Sequence, residues 1–114
     1  MLLFLLPLIA IQIATERVPL PATIEDVREI VESDLGCERS EYPELAMTMY
    51  LCEGKFTAWY LTVPDDRLPP GFVRRMLLRE GKAIKMVTET KYFGSDDKQN
   101  AFLAWQTRIA EVIQ

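Results

Sequence analysis

Two short runs near the middle of the chain constrain the fold most. Residues 45–52 (Leu-Ala-Met-Thr-Met-Tyr-Leu-Cys) alternate, with Leu45, Met47, Met49 and Leu51 on one side. Residues 56–63 (Phe-Thr-Ala-Trp-Tyr-Leu-Thr-Val) are rich in aromatic and β-branched types, and Glu53-Gly54-Lys55 connects the two runs. Alternating runs joined by a short glycine-containing link predict a β-hairpin. Side chains alternate across a strand, so the hairpin must have two faces. If Met47, Met49, Leu51, Trp59, Leu61 and Val63 face the core, the other face presents Thr48, Tyr50, Phe56, Ala58, Tyr60 and Thr62. That second face is too apolar for an ordinary wet surface. It is either covered by the final helix or offered to a partner.

The hairpin is flanked by helical patterns. Thr23 reads as an N-cap, and Ile24, Val27, Ile30, Val31 and Leu35 recur at helical spacing up to Gly36, which predicts a helix over 24–35. Glu25, Arg28, Glu29 and Glu32 form its solvated face. After a Pro-rich loop over 64–71, residues 72–80 read as a short helix with Phe72, Val73, Met76 and Leu77 inward and Gly81 as its stop. Residues 82–92 read as a third strand, with Ile84 and Met86 inward and Lys85 and Glu89 outward. Ser95 caps a final helix, with Asp96 and Asp97 in its first turn and Phe102, Trp105, Ile109, Val112 and Ile113 as its apolar stripe. The expected fold is α+β, in the order α-β-β-α-β-α. It is a small antiparallel-rich three-stranded sheet with helices packed on one face, in a single domain over 23–114.

Residues 1–14 stand apart. They carry no charged side chain, twelve of the fourteen are apolar, and charge begins abruptly at Glu16. A spanning helix needs roughly 20 apolar residues, whereas the apolar core of a signal peptide needs about 7–15. The run therefore reads as a secretory signal or, if uncleaved, as a short membrane anchor. It has no basic start. A cut after Ala14 would put Gln12 at the outer small-residue position, and a cut after Ala10 would put Leu8 there. Residues 15–22, with Pro19 and Pro21, read as an extended linker to the domain.

The two cysteines, Cys37 and Cys52, fit one disulfide in an exported protein. The 15-residue separation would be worth roughly 3 kcal/mol in the chain-entropy model. There are no histidines, which excludes Ser-His-Asp, Cys-His and HExxH chemistry. Two cysteines without histidine leave no metal site, and dispersed glycines leave no phosphate loop, so no metal or cofactor is expected.

Charge is unevenly spread. Residues 16–53 hold ten acids and three bases (net −7), and residues 54–114 hold seven acids and ten bases (net +3). Arg74, Arg75, Arg79, Lys82 and Lys85 fall close together and form a candidate basic face for anionic headgroups, a cell-envelope polymer or an acidic partner. Nucleic acid is excluded as the expected partner by the acidic chain and the exported compartment. Enzyme chemistry would have to come from carboxylates. Asp65-Asp66 and Asp96-Asp97 are adjacent pairs, which point in different directions on any regular element. The leading reading is a periplasmic or secreted, disulfide-stapled binding or accessory protein, inhibitor-like or chaperone-like. The alternatives are a membrane-tethered assembly protein that retains residues 1–14, and a small carboxylate-dependent hydrolase.

Overall fold

The computed structural model describes residues 13–112. The leader, apart from its last two residues, and Ile113 of the final apolar stripe therefore lie outside the described residues. The fold is α+β, but the sheet has five strands, not three, in the order β1-β2-β3-β4-β5. The strands are β1 (Cys37–Tyr42), β2 (Met47–Cys52), β3 (Thr57–Thr62), β4 (Gly71–Glu80) and β5 (Ala83–Tyr92). Every neighbouring pair is antiparallel, so the sheet is a simple meander. Two helices accompany it, α1 (Ile24–Glu32) and α2 (Gln99–Val112).

The largest correction is at residues 72–80, expected as a helix and found as the long strand β4. Its apolar residues fall at both parities because both faces of this strand carry apolar side chains, one face buried along most of its length and the other only in part. Phe72, Met76 and Leu78 point to one side and Val73 to the other, and all four are buried. Apolar residues on both faces, with Leu77 only half-buried, produce the i, i+1, i+4, i+5 spacing that imitates a helix. Arg, Leu, Met and Glu favour helix intrinsically, but here cross-strand packing overrides propensity. A two-residue turn at Gly81-Lys82 joins β4 to β5, and Gly81 takes φ 63, a conformation open to glycine without a Cβ penalty.

The second correction is β1, Cys-Glu-Arg-Ser-Glu-Tyr, for which no strand was expected. An edge strand has no apolar alternation to announce it and commonly carries charge. Its position is set from outside, by pairing with β2 and by the Cys37–Cys52 disulfide, which joins directly opposed residues.

The third correction concerns layers. The helices lie on opposite faces of the sheet, not on one. Ile24, Val27 and Val31 of α1 pack with Tyr50, Trp59, Leu61 and Phe72. Phe102, Trp105 and Ile109 of α2 pack with Met47, Tyr60 and Val73. Burial of each such large side chain is worth about 1.5–3 kcal/mol. Trp105 is anchored further, since its Nε1–H donates to the carbonyls of Leu45 (2.9 Å) and Ala46 (3.2 Å).

Local chemistry sets the helix ends. The Thr23 hydroxyl accepts from the Asp26 amide, as the capping pattern predicts. The helix stops at Glu32 instead of 35. The Asp34 carboxylate accepts from the Gly36 amide at 2.8 Å, a turn that competes with helix, and Leu35 is left fully exposed. Before α2, Asp96–Lys98 form a 3-10 turn.

Candidate functional site

The hairpin register decides what each face presents. The link between β2 and β3 holds four residues, not three: a 3-10 turn over Glu53–Lys55, then Phe56 at φ 51. The strands therefore pair Cys52 with Thr57, Tyr50 with Trp59 and Met49 with Tyr60. An odd residue on one strand opposes an even residue on the other, so a single extra loop residue exchanges the faces. Thr48 and Tyr50 share the α1 face with Trp59 and Leu61, whereas Ala58, Tyr60 and Thr62 share the α2 face with Met47, Met49 and Leu51. Phe56 sits in the turn. The six residues grouped on one face by alternation are thus divided between two.

The basic residues are divided as well. Arg74 is on the α1 face and buried, paired with Glu89. Lys85 pairs with Glu80 at 2.6 Å on the surface, and Lys82 is in the turn. Arg75 and Arg79 share the α2 face of β4, flanking Leu77.

On the α1 face the helix covers only part of the sheet. Beyond its C-terminal end lies a cleft of about 390 Å³. Its floor is Trp59, Thr57, Arg74 and Met76, and the Cys37–Cys52 disulfide and Ile30 form one wall. The opposite wall is the N-terminal segment, through Ala14, Val18, Pro19 and Pro21.

That segment, made of the leader's last residue Ala14 and the expected linker over 15–22, is laid along the sheet. Three of its backbone carbonyls accept hydrogen bonds from the domain: Ala14 from the Arg79 amide (2.9 Å), Val18 from Arg74 Nη2 (2.6 Å) and Pro21 from Lys91 Nζ (3.2 Å). Prolines supply no N–H, so a Pro-containing strap is held chiefly through its carbonyls.

Arg74 is the centre of this arrangement. Its side chain is 3% exposed. Its Nε and Nη2 both donate to Glu89 Oε1, and the guanidinium lies 5.6 Å from the centre of the Trp59 ring. One buried cation thus joins the sheet floor, an adjacent-strand carboxylate and the strap.

At the mouth Lys55 Nζ meets Asp34 Oδ2 at 2.8 Å. This pair ties the β2–β3 turn to the segment after α1. Lys55, followed by the Gly36 amide, holds the Asp34 carboxyl below its ordinary value.

The carboxylate pairs take structural places. Asp65 Oδ1 accepts from the amides of Arg67 and Leu68, both at 2.8 Å, and these bonds hold its pKa below the ordinary value. Asp97 is likewise lowered, chiefly by the Ser95 side chain. A general acid needs the opposite displacement, upward through burial. Among the described residues no cluster of three or more His, Cys, Asp or Glu side chains could hold a metal.

Sequence reasoning missed the cleft. Its walls come from separate parts of the chain, and only Pro19-Leu-Pro21 and the buried Arg74 hint at it. Nothing in the linear pattern distinguishes a strap from a linker.

What is established is a small compact α+β domain closed by a Cys37–Cys52 disulfide, which suggests an oxidising, extracytoplasmic compartment. No helix among the described residues is long and apolar enough to cross a membrane. Comparison of the chain with protein families, curated proteins and solved structures finds no match.

Proposed function

We propose that the protein is a small exported binding or accessory protein, periplasmic or secreted, whose ligand site is the cleft between the strap and the α1 face. The observation that carries this reading is the cleft itself, about 390 Å³ in volume, lined by Ile30, Val18, two prolines, Trp59, Met76 and a disulfide. Ligand sites are typically concave, mostly apolar, and hold a few placed polar groups. Here those groups are Asp34, Lys55, Thr57 and the edge of the Arg74 guanidinium. A small, mainly apolar molecule, or one apolar side chain of a protein partner, matches this lining. Export is supported by the disulfide and by the apolar leader.

The test is a fluorescence titration of the full chain with N-phenyl-1-naphthylamine, a small apolar dye that brightens on leaving water. Saturable binding is expected, weakened at least tenfold in Ile30→Glu, which places a charge at the mouth on a residue already 42% exposed. Met86→Ser, on the other face of the sheet, leaves dye binding unchanged. An unsaturable titration, or equal binding by wild type and Ile30→Glu, refutes the cleft as the site.

A further inference from the structure

The two edges of the sheet are unlike. Strand β1 is six residues long and carries Glu38, Arg39 and Glu41, the short, charged form that resists pairing with another chain. Strand β5 is ten residues long, contains no proline or glycine, and carries Ile84 and Met86 at 54% and 51% exposure. Neither helix reaches over it. The sheet residues buried under α1 and α2 come from β2, β3 and β4, and of β5 only its last residue, Tyr92, packs with them.

Hydrogen-bond parity shows which β5 backbone groups are open. The Phe93 amide donates to the Pro70 carbonyl at 3.0 Å, continuing the β4–β5 register. In an antiparallel pair the bonded positions recur at every second residue. Lys91, Glu89, Val87 and Lys85 therefore bond to β4, and the N–H and C=O groups of Ile84, Met86, Thr88 and Thr90 point outward from the sheet. The other side of β4 agrees, because its Leu77 and Arg79 amides donate away from β5, to Phe56 and Ala14. Among the described residues no other backbone segment bonds to the outward set.

From these observations we infer that the outer edge of β5 pairs with β5 of a second copy of this chain, antiparallel about a twofold axis at Val87, joining two five-stranded sheets into one. The charges select this occupant and this register. Strand β5 carries three charged side chains, Lys85, Glu89 and Lys91, all on the α1 face. With the axis at Val87, Lys85 of each copy lies opposite Glu89 of the other, and Lys91 lies opposite Ala83. Opposite charges facing each other across strands stabilise a pair, and like charges oppose it. An axis at Thr88 sets Lys85 against Lys91, and an axis at Lys85 or Glu89 sets that charge against itself. At Met86 no opposite charges meet. An axis between residues sets outward backbone groups against inward ones, which cannot bond. The Arg74 bonds both go to Glu89 Oε1, which leaves Oε2 for the second copy. Lys85 Nζ already meets Glu80, and an ammonium with three donors can hold both carboxylates. Lys91 Nζ is turned to the Pro21 carbonyl. On the α2 face Met86 lies opposite Thr88 and Ile84 opposite Thr90, with Met86 reaching its own copy diagonally. The contact uses the same patch on both copies, so it closes at a dimer. This inference goes beyond the ligand cleft and does not depend on it.

The test is sedimentation velocity of the full chain from about 1 μM to about 1 mM. The expected result is a monomer that converts to a dimer and to no larger species. Thr88→Pro removes an outward N–H from each copy and breaks no bond to β4, so it abolishes the dimer while near-ultraviolet circular dichroism reports an intact fold. Lys85→Glu sets two carboxylates against each other and raises the dissociation constant at least about tenfold. Arg108→Glu, the same change of charge at an exposed position of α2, leaves the constant unchanged. Amide hydrogen exchange reads the register in the wild type. The amides of Ile84, Met86, Thr88 and Thr90 slow as concentration rises, whereas those of Lys85, Val87 and Glu89 are protected by β4 at every concentration. A chain that stays monomeric over this range overturns the inference. So does a dimer that survives Thr88→Pro, or one whose added protection falls on β1 and not on β5.

Discussion

Replacing Arg74 by alanine should free the strap and destabilise the domain together. The side chain is 3% exposed and its guanidinium donates to Glu89 Oε1 and to the Val18 carbonyl, the latter at 2.6 Å. Removing one partner of a fully buried ion pair costs about 3–5 kcal/mol, because the remaining charge is left without compensation. Glu89 is 21% exposed, so water reaches part of its carboxylate and lowers that figure. The lost hydrogen bond from a charged donor to Val18 adds roughly 1.5–3 kcal/mol, and the two terms overlap because both belong to one group. A net loss of about 3 kcal/mol is expected. With a urea dependence of about 1.5 kcal/mol/M for a domain of this size, the midpoint should fall by about 2 M. Tryptophan fluorescence follows the transition, since Trp59 lies beside Arg74 and Trp105 reports the opposite face. Trypsin provides the local readout, because Arg17 is exposed on the strap next to Val18. Cleavage there should accelerate in the variant under conditions where the core remains folded. Arg74→Ala/Glu89→Leu, which removes both charges, should recover part of the stability but not the protection of Arg17. A midpoint shift below about 0.5 M with unchanged cleavage at Arg17 would refute the reasoning.

Three further outcomes are expected. Cys37→Ala/Cys52→Ala should cost roughly 3 kcal/mol, from the 15-residue separation that the disulfide closes, measured by the same urea titration without reductant. Gly71→Ala should cost about 2–3 kcal/mol by thermal or urea unfolding, because a Cβ there would stand 2.4 Å from the Phe102 ring and 2.9 Å from the Lys91 carbonyl oxygen. Asp34 should contribute to acid sensitivity. Its folded pKa lies below the unfolded value of about 3.9, so its contribution is complete above that pH and is lost as the pH falls through the folded value. Asp34→Asn should therefore be less stable than wild type at neutral pH, and the gap should narrow as the pH falls through the folded value in denaturation curves measured across the acid range.

The legible parts of this protein were those where local chemistry and burial agree. The Thr23 cap and the Ile24, Val27, Val31 stripe announce α1, and Phe102, Trp105 and Ile109 announce α2, because each helix buries one stripe and leaves the remainder wet. The hairpin was visible for the same reason, and the cysteine pair needed only proximity. Strand β4 was not legible as a strand. It packs against a core at both faces near its start, through Phe72 and Val73, so its apolar residues ignore parity and its helix-favouring types mislead. Strand β1 was silent because an edge strand of charged residues takes its place from its neighbour and a disulfide.

By itself, then, the sequence determined the α+β class, the buried residues of the two helices, the cysteine pairing and the apolar character of the leader. Those properties depend on residue type and short-range spacing. Tertiary structure decided which face each hairpin residue occupies, through the one extra loop residue Phe56. It also decided that the Val18 and Pro21 carbonyls are held against the sheet, and that Arg74 is a buried latch while Arg75 faces an open groove. Adjacent residues on a strand point to opposite faces, so a single step in register separates a core residue from a surface one. No local pattern carries that step; it is set only when all five strands and both helices pack together.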